Sequence, residues 1–421
     1  MSARRNAFLS RTEPLQRHAS LELQHDRISG PLSFLNPTRA VYTHLSPPVK
    51  PSQGISNGAP DGHQSSHGDH PASRLEFKWR SRDNRKGRHT LLVDSSTNSV
   101  APSKTTSLRE VCKGILRMLT QFPYWDISWL VATIFTLGSV VWVMNSFFAW
   151  LPDVAPSTEF DKEILYAGGI TAFIGATIFE IGSILLIIEA ANEHREGCFG
   201  WALERLVEGD DSDDGGTLRI KPDSDRCAHH HTNKKNLVGK GDTGMLEKTV
   251  DERGSGKGWT WFPSRYDLTN HYLRELGFLA ALAQLCGATI FWISGFTALP
   301  GINDKLSKGL SDGIFWTPQI VGGSGFIVSG TLYMLETQEV WYRPAFQVLG
   351  WHIGFWNFIG AIGFTLCGAL GPASFTNSGA LYQSSLATFW GSWAFLIGST
   401  IQWYESLDKH PVEVRSNNSN F

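Results

Sequence analysis

The chain has 421 residues, 37 Lys and Arg against 39 Asp and Glu, and a net charge of −2. Its mean hydropathy of −0.15 would suit a soluble protein, but the average conceals two unlike parts: residues 1–106 are almost wholly polar, and 128–405 hold nearly all the long apolar runs. That division excludes a uniform soluble globule, and five scattered cysteines (Cys112, Cys198, Cys227, Cys286 and Cys367) exclude a disulfide framework.

No charge-poor hydrophobic segment follows Met1, so targeting is expected to fall to the first hydrophobic helix. Residues 1–106 are expected to be a disordered cytosolic tail, because apolar residues are too sparse to offset backbone ordering. Within it, Lys78-Trp-Arg-Ser-Arg-Asp-Asn-Arg-Lys-Gly-Arg carries six cations in eleven residues. Plain solvated charge is the favoured reading; binding to anionic lipid, at ~1 kcal/mol per charge near a membrane surface, and a kinase-recognition or nuclear-import look-alike are the alternatives. His63, His67 and His70 with Asp69 have metal-compatible spacing, and incidental histidine is preferred there.

Residues 107–127 change character. Leu108, Val111, Cys112, Ile115, Met118 and Leu119 recur at helical spacing against Arg109, Lys113 and Arg117, which predicts an amphipathic helix lying in the membrane interface, followed by the aromatic anchor Phe122-Pro-Tyr-Trp. Six runs, at about 128–150, 165–189, 277–298, 314–335, 348–370 and 381–404, are long enough to cross ~30 Å of hydrocarbon. They predict an all-α membrane protein with six transmembrane helices arranged as three repeated hairpins, 128–190, 274–336 and 337–405. A cytosolic loop (191–273) separates the first hairpin from the rest, and a cytosolic tail (406–421) ends the chain. Cations near the span ends number eleven on one side and three on the other, which places both termini in the cytosol and leaves the sequon at Asn417 unglycosylated. The loop contains an acidic run from Glu208 and a histidine triplet, His229 to His231, beside Cys227; no second ligand cluster of defined spacing completes a metal site.

The hairpin pattern rests on a recurring skeleton. Gly175, Phe179, Gly182, Ser183 and Glu189 match Gly322, Phe326, Ser329, Gly330 and Glu336, and again Gly391, Phe395, Gly398, Ser399 and Glu405. The odd helices share a related core around Phe135, Phe291 and Phe364. Phe beside small residues reads as a helix-packing code, a knob beside a groove. Glu189, Glu336 and Glu405 fall at helix C-termini, where the helix dipole disfavours negative charge. Compensating cations are therefore expected, with His194, Arg195, Arg274, Arg343, Lys409 and His410 as candidates, and snorkelling without a strong partner is the alternative.

Glu180 departs from the repeat, whose equivalent positions are Ile327 and Leu396. It precedes Glu189 by nine residues, hence sits ~13 Å deeper by the helical rise, where a carboxylate usually faces a partner or a cavity. With Gln284, His352 and Asn357 it forms the candidate intramembrane polar site, able to relay protons or bind a cation; a neutral, hydrogen-bonded Glu180 that stabilises the bundle is the competing reading.

Trp393-Ala-Phe-Leu-Ile-Gly-Ser with Glu405 resembles the YrhK-like membrane domain, a two-helix unit with Phe-x-Ile-Gly-Ser motifs, and the chain resembles a fungal-type multi-pass protein of that sort. What the resemblance implies is architecture. No nucleotide-binding glycine loop or nucleophile–base motif is found, so no catalytic, cofactor-binding or metal-ligating residue and no cofactor is assigned. The expectation is a non-enzymatic structural or sensory membrane component that meets the lipid bilayer and cytosolic proteins, not nucleic acid. A small-solute, proton or cation transporter using Glu180 is the alternative, and an intramembrane enzyme using Glu180 and His352 a distant third. Whether the host membrane is the plasma membrane or an internal one is left open.

Overall fold

The computed structural model describes residues 21–44, 76–88, 90–93, 104–193, 219–220, 259–409 and 411–414. His63, His67, His70, the acidic run from Glu208, Cys227, the histidine triplet and Asn417 lie outside these residues.

Two short helices precede the bundle: α1, Ser81–Arg85, and α2, Leu108–Thr120. Six long helices follow: α3, Ile127–Val154; α4, Gly169–Ala191; α5, Leu276–Thr297; α6, Thr317–Thr337; α7, Leu349–Ser374; and α8, Ser378–Ser406. A π-helical stretch, Ile164–Gly168, leads into α4. The spans 127–154, 164–191, 276–297 and 349–374 are long and apolar enough to cross a membrane. Helix α8, with 29 residues, is as long and α6, with 21, nearly so, but Gly, Ser and Thr dilute their apolar content. The helix predicted at the interface is α2, capped by Ser107, whose side chain accepts from the Glu110 amide; it buries Gly114 and Met118 and leaves Leu108, Ile115, Leu116 and Leu119 exposed.

Three of the long helices begin with an identifiable cap or a fixed entry. Asp126 accepts from the amides of Ser128 and Trp129 at the start of α3, Asn377 caps α8 in the same way, and Pro318 opens α6 directly after a π-helical stretch, Asp312–Trp316, with the Ile314 carbonyl four residues back accepting from Thr297 Oγ1 at 3.1 Å instead. Sequentially adjacent helices pack on each other, and α8 closes the ring against α3.

At the centre each helix contributes one buried phenylalanine: Phe135, Phe179, Phe291, Phe326, Phe364 and Phe395. They form edge-on pairs, with ring centroids 5.4 Å apart for Phe135–Phe179, 5.5 Å for Phe179–Phe395 and 5.4 Å for Phe364–Phe395. Trp142 fills the remaining space, 4.8 Å from Phe364 and 5.6 Å from Phe291. Such contacts add ~0.5–1.5 kcal/mol per pair beyond area burial.

The fold departs from the sequence expectation in the tail. Within 1–106, strands β1 (Leu21–Leu23), β2 (Arg39–His44), β3 (Glu76–Arg80) and β4 (Thr90–Val93) form an antiparallel sheet. In the loop, β5 (Arg219–Ile220) pairs antiparallel with β6 (Trp259–Thr260). From the C-terminal segment β7 (Val412–Val414) joins β4 in parallel. The physical reason is that the tail does not fold on its own few apolar residues. Its described stretches fold against the bundle, borrowing surface and charge partners; among the described residues a small cluster of Ile28, Ala40 and Tyr42, with Leu23 and Trp79 against it, is their own core.

Candidate functional site

The end of the bundle where α4, α6 and α8 finish gathers Glu189, Glu336 and Glu405, all at most 2 % exposed. Three buried carboxylates at helix C-termini are unfavourable by both desolvation and dipole. The side chains that answer them come from the β3–α1–β4 segment, which carries the basic tract.

Glu336 receives the Arg85 guanidinium in a two-pronged contact, Nη1 to Oε1 2.7 Å and Nη2 to Oε2 2.9 Å, and a bond from Ser81 Oγ at 2.9 Å. Glu405 accepts from Arg82 Nη2 at 2.7 Å and from Arg88 Nη1 at 3.1 Å. Glu189 meets Lys86 Nζ at 3.2 Å and a close hydroxyl from Ser128, while its Oε2 has no partner. Within the tract, Asp83 binds Arg80 and Arg88, and Glu413 on β7 takes Lys78 at 3.2 Å and Arg80 at 2.6 Å. All six cations of the tract therefore stand in ion pairs. The segment is anchored through its backbone as well: the Ser81 amide donates to Thr38 O at 3.0 Å, and Lys409 Nζ caps Lys86 O at 3.0 Å while pairing with Asp126 at 2.6 Å.

Electrostatics follows the geometry. Burial would depress the guanidinium of Arg85, but the facing Glu336 outweighs it and holds that pKa well above its ordinary value; Arg82 is raised by Glu405 in the same way. For Lys86 burial wins over Glu189, and its pKa is lowered. Burial alone would raise Glu413, yet Arg80 and Lys78 pull it to about 2.

Two glycines make the docking possible. A Cβ on Gly277 would run into Arg85 Nη1 and lie 2.5 Å from Glu336 Oε1. One on Gly350 would collide with Arg82 Nε and lie 2.6 Å from its Cδ.

Beneath the docked segment is a small cavity of about 30 Å³, room for ~two waters. Arg82, Arg85 and Lys86 line it above, Phe135, Phe179 and Phe395 below, and Glu189, Gln284, Tyr333, Asn357 and Gln402 among its walls. Of the candidate polar site, Gln284 and Asn357 face this cavity; Glu180 and His352 do not line it. Glu180 is half-buried between α4 and α5, its Oε1 accepting from Thr289 at 2.9 Å. His352 Nε2 lies 2.8 Å from Phe346 O. The four residues thus do not form one site.

The other skeleton residues pack. Ser183 and Ser329 are buried, as are Gly182, Gly330 and Gly398, and Ser399 Oγ lies 3.4 Å from Ser139 Oγ across α8 and α3. Ideal Cβ atoms on Gly138 and Gly182 would press on Phe179 and Phe135, so each ring fills the groove left on its neighbour.

Among the cations expected near the glutamates, Arg343 and Arg274 are exposed and Lys409 serves Asp126; His194, Arg195 and His410 lie outside the described residues. The sequence signal that could have identified the true partners was numerical: six cations in eleven residues beside three unmatched buried acids. Comparison with known proteins gives no matching family model, no matching curated protein and no matching solved structure.

Proposed function

We propose that the chain is an integral membrane protein of six crossings, built from three hairpins of the YrhK-like kind, with both termini and the three-glutamate end in the cytosol. It acts as a non-enzymatic structural or sensory membrane component whose basic tract is a built-in clasp on the bundle. The observation that carries this reading is the set of three separate glutamate–cation contacts, one per hairpin, made by a single segment of eight residues. A segment that ties three hairpins at once fixes their mutual arrangement, and its release would loosen all three together, which is what a sensor needs. The aromatic centre supports the same reading, because six phenylalanines and Trp142 fill the axis of the bundle.

Glycan-tag mapping combined with cysteine labelling tests the arrangement. Residues 155–163, 298–308 and 375–377 should be modified from outside, and both termini and 194–258 from the cytosol. An odd number of crossings, or Glu189, Glu336 and Glu405 on opposite faces, overturns it.

One observation favours a second reading, a proton or cation transporter: the polar cavity under the clasp, with the Glu189 carboxylate on its wall. Its carboxylate is then Glu189 rather than Glu180. Liposome flux that appears on replacing Arg82, Arg85 and Lys86 with Ala and vanishes with Glu189→Gln would establish it; no flux in the clasp variant removes it.

A further inference from the structure

A second group of chemistry-bearing side chains lies beside the clasp. Glu193 follows the end of α4, His271 and Glu275 stand four residues apart just ahead of α5, and one ligand atom from each falls within 4.8 Å of the others. The buried acids already described are matched by Lys or Arg. Among the described residues, Glu193 and Glu275 have no such ion pair: Glu275 Oε1 has His271 Nε2 at 3.6 Å and Asn36 Nδ2 at 3.5 Å, Glu193 has Asn84 Nδ2 at 3.0 Å, and the two carboxyl groups are hydrogen-bonded to each other. Two carboxyl groups hydrogen-bonded to each other share a proton, and a metal cation that binds between them takes that proton's place.

The second observation is Asn84. It is 3 % exposed, its amide is aimed into the group through the contact with Glu193, and its Oδ1 has no hydrogen-bond partner. A half-turn of that amide presents Oδ1 to the same point.

We propose that Glu193, His271 and Glu275, with Asn84 as fourth ligand, form a binding site for a divalent transition-metal cation of the zinc class. Two carboxylates, one imidazole and one amide oxygen are a donor set for borderline cations; the imidazole disfavours Ca²⁺ and Mg²⁺, which take oxygen alone. The ligands come from the departure and the return of the segment 194–258 and from the clasp, so the bound ion joins both ends of that segment to α1. This inference does not depend on the membrane orientation or on the sensory reading.

The test uses the full chain, purified in detergent and stripped with a chelator, in a background where His63, His67, His70, Cys227, His229, His230 and His231 are replaced by Ala. Titration with Zn²⁺, and with Co²⁺ as the coloured probe, should give one ion per chain and a ligand-field spectrum of a four-coordinate nitrogen–oxygen site. His271→Ala should weaken binding at least tenfold and change the spectrum. Glu193→Gln, which keeps the shape of the side chain and decides the matter if His271→Ala misfolds, should weaken it comparably. A background protein that binds no Zn²⁺, or a Glu193→Gln protein that binds as tightly as its parent, overturns the proposal.

Discussion

Replacing Arg85 with Met removes the cation that faces Glu336, leaving a carboxylate that is 2 % exposed with Ser81 as its remaining donor. Breaking one side of a buried pair costs ~3–5 kcal/mol because the other charge stays buried without compensation. At ~1.4 kcal/mol per decade that is an increase of about 100-fold or more in the undocked fraction of the clasp. Glu336→Met is expected to cost a similar amount, now through the stranded guanidinium, which is 3 % exposed at the side chain. The double variant should cost less than either single one, since two apolar side chains of similar size leave no orphan charge. The exposed pair Lys113–Glu110, with the lysine side chain 51 % exposed, is the control, worth ~0.2–1 kcal/mol. Trypsin reads the equilibrium directly, because its target residues in the tract are the docked cations and cleavage follows the open population when reclosing is fast. Should both single variants be cleaved no faster than the Lys113→Ala control, the ion pairs do not hold the clasp and the reasoning fails.

Gly277→Ala puts a methyl where Arg85 Nη1 lies, so it should speed tryptic cleavage of the tract without altering any charge; unchanged cleavage would mean the guanidinium is not seated there. Phe179→Ala, which opens a hole in the aromatic centre, should lower stability by ~3–5 kcal/mol, seen as a drop in the thermal midpoint in detergent. Glu180→Gln keeps an acceptor for Thr289 and should shift that midpoint little, whereas Glu180→Lys should reduce the amount of folded protein recovered from membranes. Glu413 is held at about 2 in the fold, below the ordinary carboxylate value, so its contribution is complete above ~4.5 and is lost as the pH falls toward 2. Protection of the β7 amides from hydrogen exchange, taken against the intrinsic rate at each pH, should fall over that window in the parent protein and change less in Glu413→Gln.

Much of the bundle was legible because its signals are local. Six runs of about 21 residues or more, α2 with its Ser107 cap, and the recurring phenylalanines follow from periodicity and spacing, and each of those phenylalanines is buried in the centre. The demand for cations at Glu189, Glu336 and Glu405 was legible too, from the helix dipole alone. Their source was not. Arg82 meets Glu405 across 323 residues and Arg85 meets Glu336 across 251, and no local rule reaches that far. Disorder was inferred for the tail from its own composition, yet strands of three to six residues became stable by pairing with one another, with the C-terminal segment and with the bundle. Glu180 stayed open between two readings for a different reason: depth along a helix follows from the rise per residue, but which face it occupies depends on packing, and in the structure Thr289 donates to it.

Hydrogen–deuterium exchange on residues 81–88 of the full chain in lipid nanodiscs tests the central claim most directly. The account predicts slow exchange of the amides of Ser81, Lys86 and Arg88, which donate to Thr38 O, Arg82 O and Asp83 O, and rapid exchange once Glu189, Glu336 and Glu405 are all changed to Gln. Exchange at the rate of an unstructured peptide in the unaltered protein would contradict it.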